Sequence, residues 1–493
     1  MSEPFVIGID SSTQSTKAIA WSAEGHALAE GRAPVPMSTP APGRFEQDPR
    51  DWWTSLVAAL AALGREADLS RAAGLAISNQ RETLALLGPD GAPAGPATTW
   101  LDERAVDEVA PFAAEIGPDR IRDMTGKPPD VTATVYRLAW MRRHDPDGLR
   151  AAARLVDVQG YLATRLTGSL GTSWTSADPF GVFDIAAKRW APEILDPLGL
   201  EPDRFAPVHA PGTRLGGISP EAADETGLPA GTPLFAAGGD GQCAGLGAGA
   251  MGPGTAFLNL GTAIITGAWS PSPRTGPHWR TMVSPTGEGY VLEAVLRAGT
   301  FLVDWFVRAF VDPDPSPATF ASLEAEAAAV PIGAGGVTAS PYLSGCMNPH
   351  WTGSARAAFT GMGAEHGRAH LYRAILEALT GEIARSVRAM RGEGVPIERI
   401  TVMGGGANSA LWRRMIADSA GAPLAVSTSL EASSLGAGIT AAVGLGWHPD
   451  FAAAAAAMTG AIDEEAPDPG ARAGWDALLA RQDSLNRQVC GVA

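Results

Sequence analysis

Several things are scarce in this chain. It has three cysteines in 493 residues, Cys243, Cys346 and Cys490. An odd count at wide spacing excludes a disulfide framework, and none stands beside a Cys or His at zinc spacing. Charged residues make up 18%, below the ~25% of an average soluble protein. Cations are the scarcer sign: Lys+Arg number 37 against Asp+Glu 53, for a net charge of −16. That field repels phosphate backbones and anionic lipid, which argues against nucleic acid and membrane as partners. Any polyanion must be held locally, by backbone N–H groups, a few cations or a metal. No apolar run reaches the ~20 residues of a membrane span; Phe451 to Met458 is apolar but short. The start, Met1-Ser2-Glu3-Pro4, lacks a basic leader region. These features predict a soluble, cytoplasmic protein of two or three domains.

Glycine is abundant, at 59 residues, beside 39 prolines and a 45% hydrophobic share ample for a large core. Phe5-Val6-Ile7-Gly8-Ile9 reads as a buried strand ending at Asp10. The small polar turn Ser11 to Thr16 follows, then a return strand from Lys17 to Trp21. Gly74 to Ser78 and Leu84 to Leu87 read as further strands around a polar loop, and Leu149 to Leu166 as a helix. Near residue 230 the design repeats. Pro233 to Ala237 runs into Gly238-Gly239-Asp240, and Ala256 to Leu260 runs into Gly261-Thr262. Ile400 to Met403 leads into Gly404-Gly405-Gly406, and Ala473 to Val489 reads as a closing helix. Alternating strands and helices mean an α/β fold. Two such units predict two related domains flanking a cleft, divided in the Gly-rich stretch 246–255.

Turns of Gly, Ser and Thr after strands supply the backbone N–H groups and hydroxyls that a phosphate chain needs. Three occur, at 10–16, 261–262 and 404–408. None is a G-x-x-x-x-G-K-[ST] loop, and each alone is an ordinary hairpin or strand–helix corner. Asp10 and Asp240 both follow apolar strands. Taken singly, each is a turn former. Together, one carboxylate suits Mg2+ and the other suits a base that takes a proton from an attacking hydroxyl. Lys17 suits either of two roles, neutralising phosphate charge or standing as an exposed strand lysine. Gln80, Arg81 and Glu82 offer fork donors and carboxylate acceptors for a polyol, and Trp100 with Asp102 and Arg104 forms a second such cluster.

These pieces, in this order, resemble the FGGY carbohydrate kinases, a branch of the actin-like ATPase superfamily. The resemblance runs from Ile7 to about Gly446. Its most specific part is Ala357, Phe359, Gly361 and Met362, followed by His370-Leu371, Ala374-Ile375-Leu376 and Glu377. A looser match runs from Thr125-Gly126 through Arg137-Leu138-Ala139-Trp140, with Arg137 where the family usually has Lys. The resemblance implies two ribonuclease-H-like domains. Residues 1–248 would be the sugar-binding domain, and 249–493 the nucleotide-binding domain with a tail helix. It implies ATP at Ser12, Thr13, Lys17, Gly261, Thr262, Gly404, Gly405, Gly406 and Asn408, Mg2+ at Asp10, and Asp240 as catalytic base. It implies a small sugar or polyol as partner and allows for a homodimer.

For the substrate, the loop Asn79 to Thr83 and Trp100 are similar to glycerol kinases. Three positions depart from them. Thr132 stands where they have Tyr, Arg297 where they have Phe, and Gly241 separates Asp240 from Gln242. Pro341 to Gly345, Pro349-His350 and Gly404 to Arg413 look more like xylulokinases, although Cys346-Met347-Asn348 departs from their pattern. The expected substrate is a ketopentose such as xylulose, held by Gln80, Arg81, Glu82, Trp100, Thr132, Gln242 and Arg297. The alternative is glycerol or another short polyol. A reading of another class, an actin- or chaperone-like ATPase without sugar, is disfavoured by the Gln80-Arg81-Glu82 loop.

Overall fold

The computed structural model describes residues 3–492. β1 (Phe5–Ser11), β2 (Ser15–Trp21) and β3 (Ala27–Pro34) form an antiparallel meander. β1 is buried along its whole length, so it reads as a near-continuous apolar run. β4 (Ala72–Asn79) runs parallel to β1. Beyond it lie β5 (Arg214–Gly217) and β6 (Pro233–Gly239), in the order β5-β6-β4-β1-β2-β3. The second sheet repeats the plan. β7 (Gly254–Leu260), β8 (Ile264–Ser270), β9 (Arg280–Val283) and β10 (Tyr290–Leu296) are joined antiparallel. β11 (Ile397–Met403) and β12 (Leu424–Ser427) then run parallel to β7, and β13 (Ala461–Glu465) closes the edge. A meander followed by parallel strands, made twice, is the ribonuclease-H-like plan of actin-like ATPases. Among the described residues no helix is long and apolar enough to cross a membrane.

One expected helix is broken. Leu149 to Leu166 forms a helix to Ala151, a strand Arg154–Val156 and a helix Val158–Thr167. The Asp157 carboxylate accepts from Gly160 N at 2.6 Å and starts the second helix. The strand pairs with Ala85–Leu87, which therefore lies outside the main sheet.

The halves are interlocked twice. α1 (Asp240–Gly247) follows β6; the long α2 (Arg368–Gly392) and α4 (Arg472–Cys490) frame the second core; α3 (Ala432–Gly444) lies between them in sequence. Yet α3 packs on the first sheet, where Leu435 and Ile439 meet Val6, Ile19, Trp21 and Phe235. Glycine makes that approach feasible. A Cβ on Gly436 would lie 2.0 Å from the Cys243 carbonyl oxygen, and one on Gly247 would lie 2.0 Å from that of Ala432. The Ser434 hydroxyl donates to Gly8 O at 2.9 Å and accepts from the Trp21 indole at 3.1 Å.

In the second interlock, the tip of the β9–β10 hairpin enters the first half. Val283 and Tyr290 are buried among Phe112, Tyr136, Phe180 and Phe183. The β9 edge is covered as well. Thr281 N donates to Gly126 O at 2.7 Å, the Lys127 ammonium donates to Thr281 O at 3.0 Å, and Asp178 accepts from Val283 N at 2.5 Å.

Replacing Gly436 by Val should force α1 and α3 apart and lower the melting temperature by many degrees. Gly252→Ala, with no atom within 4 Å of the new Cβ, should leave it near wild type. Differential scanning calorimetry of both variants checks this.

Candidate active site

Register brings the two acids together. β1 and β6 both run parallel to β4, with Asp10 opposite Ser78 and Gly239 opposite Asn79. The C-terminal ends of three adjacent strands thus carry Asp10, the loop 80–83 and Asp240 to one edge. Asp10 is buried and accepts from the Ser78 hydroxyl at 3.2 Å. Burial first, and then the nearby Asp240 charge, push its carboxyl up to about 7. Asp240 is also raised, by desolvation at the foot of the cleft, while Arg81 pulls it back.

Arg81 is the hub of a charge cluster that spans the two halves. Its Nε lies 3.2 Å from Asp240 Oδ1, and its guanidinium reaches Glu293 Oε2 at 2.8 Å. Glu293 Oε1 accepts from Arg280 at 2.8 Å, and Arg280 donates to Glu82 Oε1 at 2.7 Å. Arg280 and Glu293 are cross-strand partners in β9 and β10. The two guanidinium groups hold the Glu293 carboxyl down at about 2 despite its burial. Glycine accommodates Arg81: a Cβ on Gly239 would meet its side chain at 2.5 Å, and one on Gly241 its guanidinium at 3.0 Å. Glu82 adopts φ +54, a left-handed conformation that is strained for glutamate. The buried Arg137 holds it there by donating to Glu82 O, and the Thr134 hydroxyl donates to the same oxygen at 2.8 Å.

Across the cleft, Gly261-Thr262 and Gly404 to Asn408 end the paired strands β7 and β11, so the two turns lie side by side. Two Gly- and Thr-containing turns at the ends of the second sheet, and a pair of strand-end acids on the first, are the groups that phosphoryl transfer requires. The N-terminal domain model of the FGGY carbohydrate kinases matches residues 5–247, and the C-terminal domain model matches residues 256–445. This chain belongs to the FGGY family of carbohydrate kinases. It is 29% identical to a Bacillus subtilis xylulose kinase over 448 residues, covering 90% of this chain and 89% of the relative. It is 30% identical to an autoinducer-2 kinase of Yersinia enterocolitica, covering 90% and 87%. A solved xylulose kinase from Rhodospirillum rubrum superposes with TM-score 0.92 at 28% identity, over 98% of this chain and 99% of that one. As an FGGY kinase the chain is an ATP-dependent phosphotransferase acting on a small sugar, and the actin- or chaperone-like reading falls away.

The kinase places its expected substrate residues unevenly. Arg81 and Glu82 lie at the cleft foot. Trp100 is 37% exposed at the cleft mouth, its indole donating to the Thr13 hydroxyl at 2.9 Å. Gln80 is turned inward instead. Its amide donates to Gln47 Oε1 at 2.8 Å and accepts from the Thr83 hydroxyl at 3.1 Å. Gln242 is fully buried behind Arg81, accepting from it at 3.4 Å and donating to Thr175 O at 3.2 Å. Both amides brace the site from behind. Arg297 reaches from the second half to Asp130 at 3.5 Å and the Thr132 hydroxyl at 3.4 Å, making it a carboxylate's partner. Asp102 and Arg104 face each other and Glu46, and the cluster braces the loop at Phe45 through Asp102. A cavity of about 10 Å³ is lined by Lys127, Asp130, Thr132, Arg280, Met347 and Trp351. It has room for one water.

On the nucleotide side, Gly404 takes φ +87, and a Cβ there would lie 2.9 Å from the Leu260 backbone, so only glycine lets the two turns touch. Gly405 and Asn408 are exposed, and Gly405 has open space where a Cβ would be. Gly406 and Gly261 stay partly accessible, and Thr262 is exposed. Ser12 closes its own turn, donating from N and Oγ to Ser15 O, and Thr13 O accepts from the Gln47 amide at 2.7 Å. Lys17 departs from expectation. Its ammonium is paired with Glu431 Oε2 at 2.6 Å, beside Arg32 on the same carboxylate. Glu431 comes from the second half, so Lys17 ties the halves together.

Sequence reasoning missed Arg280 and the partners of Glu293. The available signal was a single charge within an apolar strand, as in Tyr290-Val-Leu-Glu293-Ala-Val-Leu296. Lys127 and Asp178, a buried pair against β9, were missed as well.

Asp10 carries a pH consequence. Its folded value of about 7 lies above the 3.8 of a free aspartate, so the native state binds the extra proton between those values. Stability from this group therefore falls as pH rises through that window, and the cost is complete above pH 7. Asp10→Asn removes the charge. Without Mg2+, it should melt several degrees above wild type at pH 8, with the gain vanishing toward pH 4. Thermal melts at the two pH values check the sign.

Proposed function

We propose that this kinase transfers the γ-phosphoryl group of ATP to a hydroxyl of a ketopentose such as xylulose, with Asp240 as general base. The observation that carries the reading is the Asp240 carboxylate at the strand end facing Asp10. Its Oδ1 accepts from Gly241 N at 2.7 Å and forms an ion pair with Arg81 Nε at 3.2 Å. Among the described residues, no hydrogen bond reaches Oδ2. That oxygen is left to accept the sugar hydroxyl proton as the hydroxyl attacks in line. Glu82 and Arg81 offer the acceptor and fork donors for the remaining hydroxyls. The cations here, Arg81, Arg280, Lys127 and Arg297, are all paired with carboxylates. That balance favours a neutral polyhydroxyl substrate over a sugar acid. The relatives named xylulose kinase support the pentulose.

The chain works in this reading as two halves, 1–248 for sugar and 249–493 for nucleotide, in the cytoplasm. ATP lies along Gly261-Thr262 and Gly404 to Asn408, with Ser12 and Thr13 opposite. The residues fit Mg2+: the buried Asp10 and the partly exposed Asp240 repel each other, which a divalent ion relieves. Asp10 would hold it, and when bound it neutralises phosphate charge. Closure of the two halves over the bound substrates excludes solvent, so the phosphoryl group goes to the sugar and not to water.

A panel of pentuloses, short polyols, sugar acids and the autoinducer-2 precursor, scored for ATP consumption, tests the substrate. Xylulose or a related ketopentose is expected to score highest, and a strong preference for glycerol would overturn that choice. Asp240→Asn should lower kcat by roughly 100- to 10,000-fold while nucleotide binding by calorimetry stays intact. Near-normal turnover in that variant would remove Asp240 from the role of base.

A further inference from the structure

Glu293 and Arg280 lie on strands of the nucleotide-side sheet, yet their charges end on the sugar-side loop. Glu293 is fully buried, and each of its oxygens is taken by a guanidinium: Oε1 by Arg280 of its own sheet and Oε2 by Arg81 of the other half. Arg280 extends on to Glu82. The strand register fixes the pair, since Arg280 and Glu293 face each other directly across β9 and β10. The β9 edge is bolted to the first half by Gly126, Lys127 and Asp178. The second half thus presents a rigid two-charge clasp to Arg81 and Glu82. We infer that Arg280 and Glu293 are positioning residues for the transfer, Glu293 holding Arg81 against Asp240 Oδ1 and Arg280 holding Glu82 toward the sugar. This rests on the reading of Asp240 as base.

The physics is directional. Arg81 forks between two carboxylates, Glu293 at 2.8 Å and Asp240 at 3.2 Å. With Glu293 neutral, the guanidinium loses its stronger anchor and is drawn onto Asp240, toward the oxygen that must stay free. With Arg280 neutral, the strained Glu82 loses the cation that aims it, while Arg81 keeps Glu293. The two substitutions therefore damage different steps. The titratable and charged groups beside Asp240 include Asp10, Arg81, Glu82, Cys243, Arg280 and Glu293, with Lys127 beside Arg280 and Glu82 and itself paired with Asp178.

The test is steady-state kinetics of Glu293→Gln, Glu293→Asp and Arg280→Gln, with ATP and the sugar that scores highest in the panel. Glu293→Gln should lower kcat by roughly 10- to 100-fold, with the sugar KM changed little. Glu293→Asp, which keeps the charge, should recover part of kcat. Arg280→Gln should chiefly raise the sugar KM, by about 10-fold. The KM for ATP should hold in all three. Equal losses of kcat and KM in both neutral variants, or an Asp variant no better than Gln, would mean a merely structural role and would overturn the proposal. If one neutral variant fails to fold, the other still separates kcat from KM and decides the matter alone. An active Asp240→Asn would instead bring down the base assignment, whatever the Glu293 variants show.

Discussion

The Glu293 carboxylate is buried without contact with solvent, between Arg81 of one half and Arg280 of the other. A buried charge with no partner costs several kcal/mol, and pairing repays that cost only when the geometry is good and the remaining hydrogen bonds are made. Here each oxygen has its own guanidinium. Arg81 and Arg280 are themselves buried, and each needs a second carboxylate, supplied by Asp240 and Glu82. The cluster is therefore satisfied only when both halves are in register. Asp240, the loop 80–83 and the inter-domain contact are one electrostatic object.

The rest of the seam makes that register attainable. α1 and α3 cross at glycines, so backbone meets backbone at Gly436 and Gly247. Lys17 and Arg32 share Glu431 near the start of α3, and Ser433 donates to the Asp240 carbonyl at 3.1 Å. A helix of the second half thus touches the backbone of Asp240, the proposed base. A chain of net charge −16 has few cations to give, and most near the cleft are committed to carboxylates. Phosphate must then be held by the backbone of Gly, Ser and Thr turns, whose exposed glycines at 404 and 405 suit close approach.

Much of this was legible in the sequence. An apolar run ending in an acid marks a strand and its functional end, so Asp10 and Asp240 stood out. Glycine turns after strands marked the nucleotide side, and the repeated strand–turn–strand unit marked the two-sheet plan. What was hidden depends on register between distant strands. Nothing local to Arg280 shows that it faces Glu293, or that both reach Arg81. Gln80 and Gln242 were read as ligands by residue type, and an amide beside a charged site is equally suited to brace it; in the structure their amides are engaged with Gln47, Thr83, Arg81 and Thr175. Gly241 looked like an interruption of a glycerol-kinase pattern; it is the space that the Arg81 guanidinium occupies. Lys17 was assigned to phosphate because its carboxylate partner lies far along the chain, at Glu431.

The central claim is that the buried cluster couples the halves at the catalytic edge. A double-mutant cycle on Glu82 and Arg280, by urea denaturation of wild type, Glu82→Gln, Arg280→Gln and the double variant, measures that coupling directly. The account predicts a coupling energy of about 1.5 kcal/mol or more, since Arg280→Gln alone leaves the buried Glu82 carboxylate without its cation, whereas the double change leaves no charge there. Additivity within about 0.5 kcal/mol would contradict it.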